Sequence, residues 1–454
     1  RQMCIRDSLS ADTTTVSLNQ REIRRAVLAS IIGNGLEWFD FIVIGAFLRY
    51  IAVAYFPAGS PAVSVLKTLG AFAVGFLVRP FGGILLGYYA DRVGRRTALA
   101  LLITLMAAGT LLVGITPTYA QIGIAAPIIF VFARVLQGLS VGGEFASAAS
   151  MLVEYAPRGQ RNFYGSFEMA SQGFALLVGS LFAFFLARYL PAHAMQEWGW
   201  RVPFIVGFII GPVGYYIRHH VAESPVLRQL QAQHALMRRD RFLPYFLNNK
   251  AALLCGMGVI IVGAAVNFLW HNYMPLYVTH QLHLPLYAAL FGNSVSGVIA
   301  IFGYPLVGKL ADRVGAFRLF FPVTIVFAFA AYPLYVFVIA SPSIERLFIA
   351  QMIASLFLTM MSGAHPGMLT SLFPPAVRAT GVAISYNIAV TFFGGLSPLI
   401  VTWLSDKTGS DLVPAGFQIG SAIISLLLVG LCLPRVSYRR QPAEAVTVVV
   451  SPGA

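Results

Sequence analysis

The stretch GYYADRVGRR runs from residue 87 to 96, and GKLADRVGAF follows at 308–317. The pentapeptide ADRVG is shared between them, at 90–94 and 311–315, an offset of 221 residues, and each copy follows a glycine (Gly87, Gly308) at the same spacing. Each copy lies between two long apolar runs. Five identical residues at matched positions point to a chain built from two related halves. A weaker echo links Pro157, Arg161 and Gly165 with Pro374, Arg378 and Gly381, each set following the fourth apolar run of its half.

Working outward from the repeat, apolar runs occur near 26–51, 64–90, 97–116, 120–150, 162–188 and 201–218, then near 250–279, 286–310, 319–340, 344–370, 379–404 and 412–434. A membrane-spanning helix needs about 20 mostly apolar residues, so the pattern is six spans, a break, and six more. The predicted fold is therefore an all-α polytopic membrane protein of 12 transmembrane helices, in two pseudo-symmetric six-helix halves around a central cavity. The predicted organisation is an N-terminal segment at 1–25, a six-helix bundle at 26–218, a cytoplasmic linker at 219–249, a second bundle at 250–434 and a tail at 435–454. Residues 1–8 (RQMCIRDS) look unlike a natural start and are set aside, and residues 9–25 carry no signal-peptide pattern.

Composition agrees with this reading. Of 454 residues, 58% are hydrophobic and 11% charged, against roughly one quarter charged in soluble domains. The formal net charge of +14 invites a nucleic-acid partner, but the charges are sparse and separate apolar runs, so none is expected. Three cysteines, Cys4, Cys255 and Cys432, have neither disulfide-framework nor metal-site spacing. With both termini on the cytoplasmic side, the 31 Lys and Arg divide as 23 cytoplasmic, 6 external and 2 intramembrane, the bias that sets orientation in bacterial inner membranes. The expected location is thus the bacterial plasma membrane, multi-pass, with the chain acting as a monomer.

Charges inside the spans need a reason, because each costs at least about 2.5–3.5 kcal/mol at the bilayer centre. Glu37 and Asp40 lie three residues apart on one face of the first helix. Asp40 and, on the fourth helix, Arg134 each fall about 21 Å from a helix start, at about 1.5 Å per residue, hence near mid-depth. A carboxylate facing Arg is stabilised as the anion, and protonation releases the Arg. The pair is either a proton-coupling switch or a static tie between helices, and Glu37 either a second proton site or a hydrogen-bonding residue.

Arg79, beside Pro80 and Gly82, is the other embedded cation. It can hold a substrate carboxylate bidentately, or it can snorkel or pair with Glu144 or Glu168. Arg79 and Arg134 are the candidate substrate-side cations. Glu144 reads as gating or structural. Gln137 joins the candidate substrate contacts, as do Glu168 and Gln172, one turn apart, which line a cavity or bond helix to helix. The second half has no embedded carboxylate and offers Asn267, Trp270, His271 and Tyr273, then His365, then Tyr386 and Asn387. Of these, Asn267, His271, Tyr386 and Asn387 are the candidate substrate contacts, although a lone intramembrane His also serves packing.

In the loop repeat, Gly87 permits close helix approach, Asp91 is placed to cap a helix or pair with Arg, and Arg92, Arg95 and Arg96 meet the anionic surface. With Gly94, Asp312, Arg313 and Glu144 these form a candidate latch between halves. The alternative is that they are topogenic charges only.

Beyond these physical readings, GYYADRVGRR resembles the loop signature of the major facilitator superfamily. GNGLEWFDF (33–41), GFLVRPFGG (75–83), RVLQGLSVGGE (134–144) and EWGWRVPF (197–204) together resemble its metabolite–proton symporter branch, whose members carry citrate, tricarballylate, α-ketoglutarate, shikimate, or proline and betaine. The resemblance implies proton-coupled transport, an acidic residue on the first helix working with the Arg of the fourth, and no cofactor. One departure is ADRVGAFR in the second half, with Ala316 and Phe317 in place of Arg95 and Arg96, which implies a stronger latch on the N-terminal side.

The expected function is secondary active transport by alternating access: proton symport of a small carboxylate-bearing metabolite such as citrate or α-ketoglutarate. A zwitterionic osmolyte, or facilitated diffusion or exchange, stands as the alternative. HExxH, GxSxG, P-loop and GxGxxG patterns are absent, so no enzyme is expected, and no signalling domain fits in the linker or tails.

Overall fold

The computed structural model describes residues 14–18, 20–59, 61–219, 239–436 and 446–450. The N-terminal residues 1–13, most of the linker (220–238) and most of the tail lie outside the described residues.

Twelve long helical segments follow the apolar runs. In the first half they are α1 (Gln20–Tyr55), α2 (Pro61–Val93), α3 (Arg95–Ile115), α4 (Ala125–Glu154), α5 (Arg161–Tyr189) and α6 (Val202–His219). In the second they are α7 (Lys250–His280), α8 (Leu286–Val314), α9 (Ala316–Ile339), α10 (Ile344–Thr370), α11 (Pro375–Thr408) and α12 (Val413–Arg435). Eleven are long and apolar enough to cross a membrane, and the stretch Gly199–Ile209 leading into α6 is a shorter apolar one. Part of the predicted linker is helical, at Arg239–Asn248. The chain ends add one parallel strand pair, β1 (Thr14–Leu18) with β2 (Val446–Val450).

The helices pack closely because small residues meet backbone. On α4, Gly138 and Gly142 face the α2 backbone at Gly75, Arg79 and Gly83, so closely that no Cβ fits at either. Between the halves, a Cβ on Gly173 of α5 would lie 2.6 Å from the Ala300 side chain of α8, and one on Gly297 of α8 would lie 2.6 Å from Leu177 N of α5. Without a hydrophobic drive between helices in lipid, this backbone approach is what holds such bundles.

Both loop copies end a helix in the same way. Gly94 and Gly315 take φ values of 132° and 100°, a conformation that a side chain disfavours and glycine permits, and each is followed at once by the next helix. Among the described residues α1 leaves helical geometry at Phe47 (φ −107°, ψ 16°), and π turns interrupt α7 at Phe268–Tyr273 and α11 at Thr391–Gly395.

Candidate functional site

The first half carries two buried ion pairs side by side. Asp40 is fully buried. Its Oδ2 accepts from Nη1 and Nη2 of Arg134, both at 3.3 Å. Its Oδ1 accepts from Gln137 Nε2 at 2.9 Å and from Thr110 Oγ1 at 3.0 Å, and Gln137 Nε2 also reaches Thr110 Oγ1 at 2.9 Å. Helices α1, α3 and α4 thus meet on one carboxylate. Such a pair holds in a low dielectric only when the remaining lone pairs are satisfied, as Gln137 and Thr110 do here.

Arg79 is fully buried, and its partner is Glu37, at 3.7 Å, rather than Glu144 or Glu168. Its guanidinium lies over the rings of Phe76 at 4.2 Å and Phe41 at 4.5 Å, while Arg134 approaches Phe41 at 5.4 Å and Phe72 at 5.7 Å. Phe41 therefore stands between two cations, attracted to both through the face of its ring. None of the three guanidinium nitrogens of Arg79 makes a hydrogen bond, so this buried cation retains donors for a further anion.

The second half answers with neutral polar groups. His271 meets Asn267 Oδ1 through Nδ1 at 2.9 Å and Ser355 Oγ through Nε2 at 3.4 Å. Ser355 donates to Ser296 at 2.7 Å. Behind them Asn293 donates to the His271 carbonyl at 2.8 Å and accepts from Gln351 at 3.1 Å. The π turn of α7 places Trp270, His271, Asn272 and Tyr273 in this region, all buried; π turns recur at functional positions in helices.

Two small cavities lie between the halves. One, about 20 Å³, is lined by Trp38, Gln172, Asn267, His271, Tyr304 and Ser355 among others. The second, about 30 Å³, shares Trp38, Gln172, Asn267 and Tyr304 and adds His365 and Tyr386. Each admits a water or two, since one water needs about 10–15 Å³, so this conformation is contracted around its centre. Above them Gly45 of α1 meets α7, where a Cβ would lie 3.0 Å from the Asn272 carbonyl. Beyond that contact opens a vestibule of about 630 Å³, flanked by Arg49, His280, His283 and Asp406.

The opposite end, which carries the two ADRVG loops, is closed by contacts between halves. Asp91 Oδ2 accepts from Thr380 N at 3.1 Å and Thr380 Oγ1 at 2.7 Å, near the start of α11. Asp312 accepts from Asn162 N and Nδ2 at 3.0 and 2.9 Å and from Phe163 N at 2.9 Å, at the start of α5. Each repeat aspartate thus caps a helix of the other half, where free N–H groups and the helix dipole favour negative charge. The loss of the arginine pair at Ala316 and Phe317 leaves this contact intact, because capping uses the carboxylate and backbone N–H groups. Glu154 of α4 and Arg378 of α11 add a buried pair at 3.1 Å. Gly87 packs against Thr380, and Asn387 donates to the Gly142 carbonyl at 2.6 Å. Arg92 lies over Tyr88 at 4.9 Å, Arg96 is half-buried and Arg313 exposed. The Arg95 side chain lies outside the described residues.

The structure therefore sorts the candidates into three groups. Asp40, Arg134 and Gln137 form one cluster and Glu37 and Arg79 an adjoining pair. Gln172, Asn267, His271 and Tyr386 line the central cavities, with Glu168 one hydrogen bond behind Gln172 at 3.4 Å. Asn387 sits with the loop-end contacts, away from the cavity lining. Glu144 is buried next to Glu168. Several participants were not read from the sequence: Thr110, Phe41, Phe72 and Phe76 around the cations, Tyr304 in the cavity wall, and Glu154, Asn162 and Thr380 at the closed end. Of these Glu154 had a signal, a carboxylate three residues ahead of Pro157 in the weaker echo.

Comparison with known proteins agrees with this architecture. The family model described as Major Facilitator Superfamily matches residues 32–344. The citrate-proton symporter of Salmonella typhi is 33% identical over 419 residues, covering 92% of this chain and 96% of that protein. The glycine betaine/proline/ectoine/pipecolic acid transporter OusA of Dickeya dadantii (strain 3937) is 31% identical over 432 residues, covering 92% and 85%. Among solved structures, the proton:xylose symporter XylE bound to 6-bromo-6-deoxy-D-glucose matches with a TM-score of 0.72 at 19% identity, covering 95% of this chain and 98% of that one, a likeness of fold. With a family model over residues 32–344 and relatives above 30% identity across 92% of its length, this chain belongs to the major facilitator superfamily and is a membrane transporter rather than an enzyme.

Proposed function

We propose that this chain is a proton symporter that carries a small carboxylate-bearing metabolite, of the di- and tricarboxylate class, across a bacterial inner membrane with both termini cytoplasmic. The two units at 26–218 and 250–434, joined by the linker at 219–249, rock about the central cavity in a single monomer. The observation that carries this reading is Asp40, buried and held by Arg134, Gln137 and Thr110. Protonating it removes the charge that fixes Arg134 and frees the α1–α4 contact to rearrange. The substrate carboxylate is assigned to Arg79, a buried cation with unused donors, and its remaining polar atoms to His271, Asn267 and Gln172. The central cavities expand to admit it; the vestibule already has the size of a small-molecule pocket. The citrate-proton symporter of Salmonella typhi supports this substrate class.

A second reading, a zwitterion of the proline or betaine type, is favoured by the Glu37–Arg79 pair, which presents both charges together, and by the relatedness to OusA.

The test is luminal pH in proteoliposomes holding a pH-sensitive dye, challenged with citrate, tricarballylate, α-ketoglutarate, shikimate, proline and betaine. Acidification with a carboxylate, abolished in D40N while binding persists, is expected. Tracer uptake without acidification would sink proton coupling, and acidification with proline or betaine alone would select the second reading.

A further inference from the structure

Glu168, unlike Glu37, Asp40 and Glu154, has no cation within ion-pair distance among the described residues. It is fully buried on α5. Its carboxylate accepts a long hydrogen bond from Gln172 Nε2 at 3.4 Å, and its second oxygen has no partner. Asn34 Nδ2 donates to the Glu168 main-chain carbonyl at 3.0 Å and to Ser171 Oγ at 2.6 Å, and the same side chain also reaches the Glu168 carboxyl. Arg134 is held by Asp40 and Arg79 by Glu37, and among the described residues Glu168 forms no ion pair. The titratable and charged groups that face it from surrounding helices are Glu144 of α4, Tyr304 of α8 and Tyr386 of α11, with Glu37 and Arg79 beyond Tyr386. The ionisable groups that act on it electrostatically are thus a second carboxyl and two phenols.

Removing an ionised carboxylate from water without a partner costs several kcal/mol, whereas the neutral acid costs only its hydrogen bonds and supplies an O–H donor. We propose that Glu168 is a second proton-carrying site of the transport cycle, separate from Asp40, loaded while the loop end is closed and emptied when that end opens to water. The inference rests on the symport reading above. Gln172 gives it a link to substrate, because the residue that donates to Glu168 also lines both central cavities, as does Tyr304. A substrate oxygen that draws the Gln172 amide toward the cavity takes one donor from the carboxyl, and so changes which form of Glu168 the site favours. Each cycle then moves one proton on Asp40 and one on Glu168.

The experiment counts protons per molecule in proteoliposomes, by dye and tracer together, with citrate, or with shikimate or proline where the panel selects one of those. E168Q, a near-isostere of the neutral acid, is compared with the unsubstituted protein. Protons borne by the substrate itself cancel in the difference, so the expected result is a ratio lower by one proton in E168Q; an unchanged ratio overturns the proposal. Should E168Q not transport, infrared spectra of the intact protein in lipid at neutral pH decide. A carboxylic-acid band that survives in D40N and vanishes in E168Q supports the assignment, and its persistence in E168Q overturns it. If the unsubstituted protein moves no protons with any compound of the panel, the symport reading itself fails, before any substitution is made.

Discussion

The closed loop end offers a perturbation whose size follows from a single contact. Thr380 and Asp91 are both buried, and the Thr380 hydroxyl donates to the Asp91 carboxylate at 2.7 Å while the backbone N–H donates separately at 3.1 Å. T380V deletes the hydroxyl, keeps the branched shape and leaves the backbone bond. A hydrogen bond to a charged group contributes about 1.5–3 kcal/mol. That contribution is present only while the halves are in contact, so the closed state loses it relative to the open one. The open-to-closed ratio should rise by about 10- to 150-fold, at 1.4 kcal/mol per factor of ten. Ser166 reports on it. The residue is fully buried on α5, against Gly308 of α8, where a Cβ would lie 2.8 Å from its hydroxyl. In a background with Cys4, Cys255 and Cys432 replaced by Ser, S166C should react with a maleimide only from the open state, at a rate proportional to its population. T380V should speed that reaction by the same factor. A rate within about twofold, the scatter expected of a substitution that touches nothing (about 0.5 kcal/mol), in a protein with unchanged helical circular dichroism, would show that Asp91 does not hold this end shut.

Other substitutions separate packing from chemistry. G297A should lower the thermal midpoint by an amount equivalent to about 1–3 kcal/mol, because its Cβ would meet Leu177 N at 2.6 Å and Gly173 O at 2.7 Å. G416A, in a helix and with nothing within 4 Å, should hold or raise it by up to about 1 kcal/mol; equal midpoints for the two variants would contradict the packing account. R79K keeps the charge and loses the planar fork, so KM for citrate uptake should rise about tenfold or more with kcat little changed, and an unaltered KM would remove Arg79 from the substrate contacts. H271A should weaken uptake more than H271Q, since it leaves Asn267 and Ser355 without their shared partner at about 1–3 kcal/mol; tracer KM values for the two variants check the order.

What the sequence revealed was whatever carries a cost that composition alone exposes. Asp40, Arg79 and Arg134 announced themselves because charges in apolar runs need partners, and the two ADRVG copies because five identical residues recur at matched places in the halves; the structure adds that Gly94 and Gly315 both take a positive φ. The partners were less legible. Glu37 and Asp40 share a helix face, yet they engage different arginines on different helices, Arg79 on α2 and Arg134 on α4, a division that depends on how α1 is rotated in the bundle. Thr110 lies in an apolar run where threonine commonly bonds its own helix, so nothing local marks it as a ligand of Asp40. Glu154 and Arg378 are separated by 224 residues, and only the folded halves bring them together. Asn387, a candidate substrate contact with Tyr386, projects from α11 about 100° away from it and donates to the Gly142 carbonyl of α4, while Tyr386 lines a central cavity.

The two π turns bear on how the vestibule walls move. A π turn spends one residue more per turn than the α-helix around it and leaves its hydrogen-bond ladder interrupted, so a small change there shifts everything beyond by a fraction of a turn. Both interruptions fall in the second half, at Phe268–Tyr273 and Thr391–Gly395. The segments beyond them, Met274–His280 and Ser397–Thr408, supply His280, Thr402 and Asp406 to the vestibule. The facing wall is built by α1 and α2; α1 has no π turn but leaves helical geometry at Phe47 (φ −107°, ψ 16°), two residues before Arg49. The vestibule thus has an interrupted helix behind each wall, the π turns on one side and the break at Phe47 of α1 on the other, so a molecule drawn inward can be followed from either half.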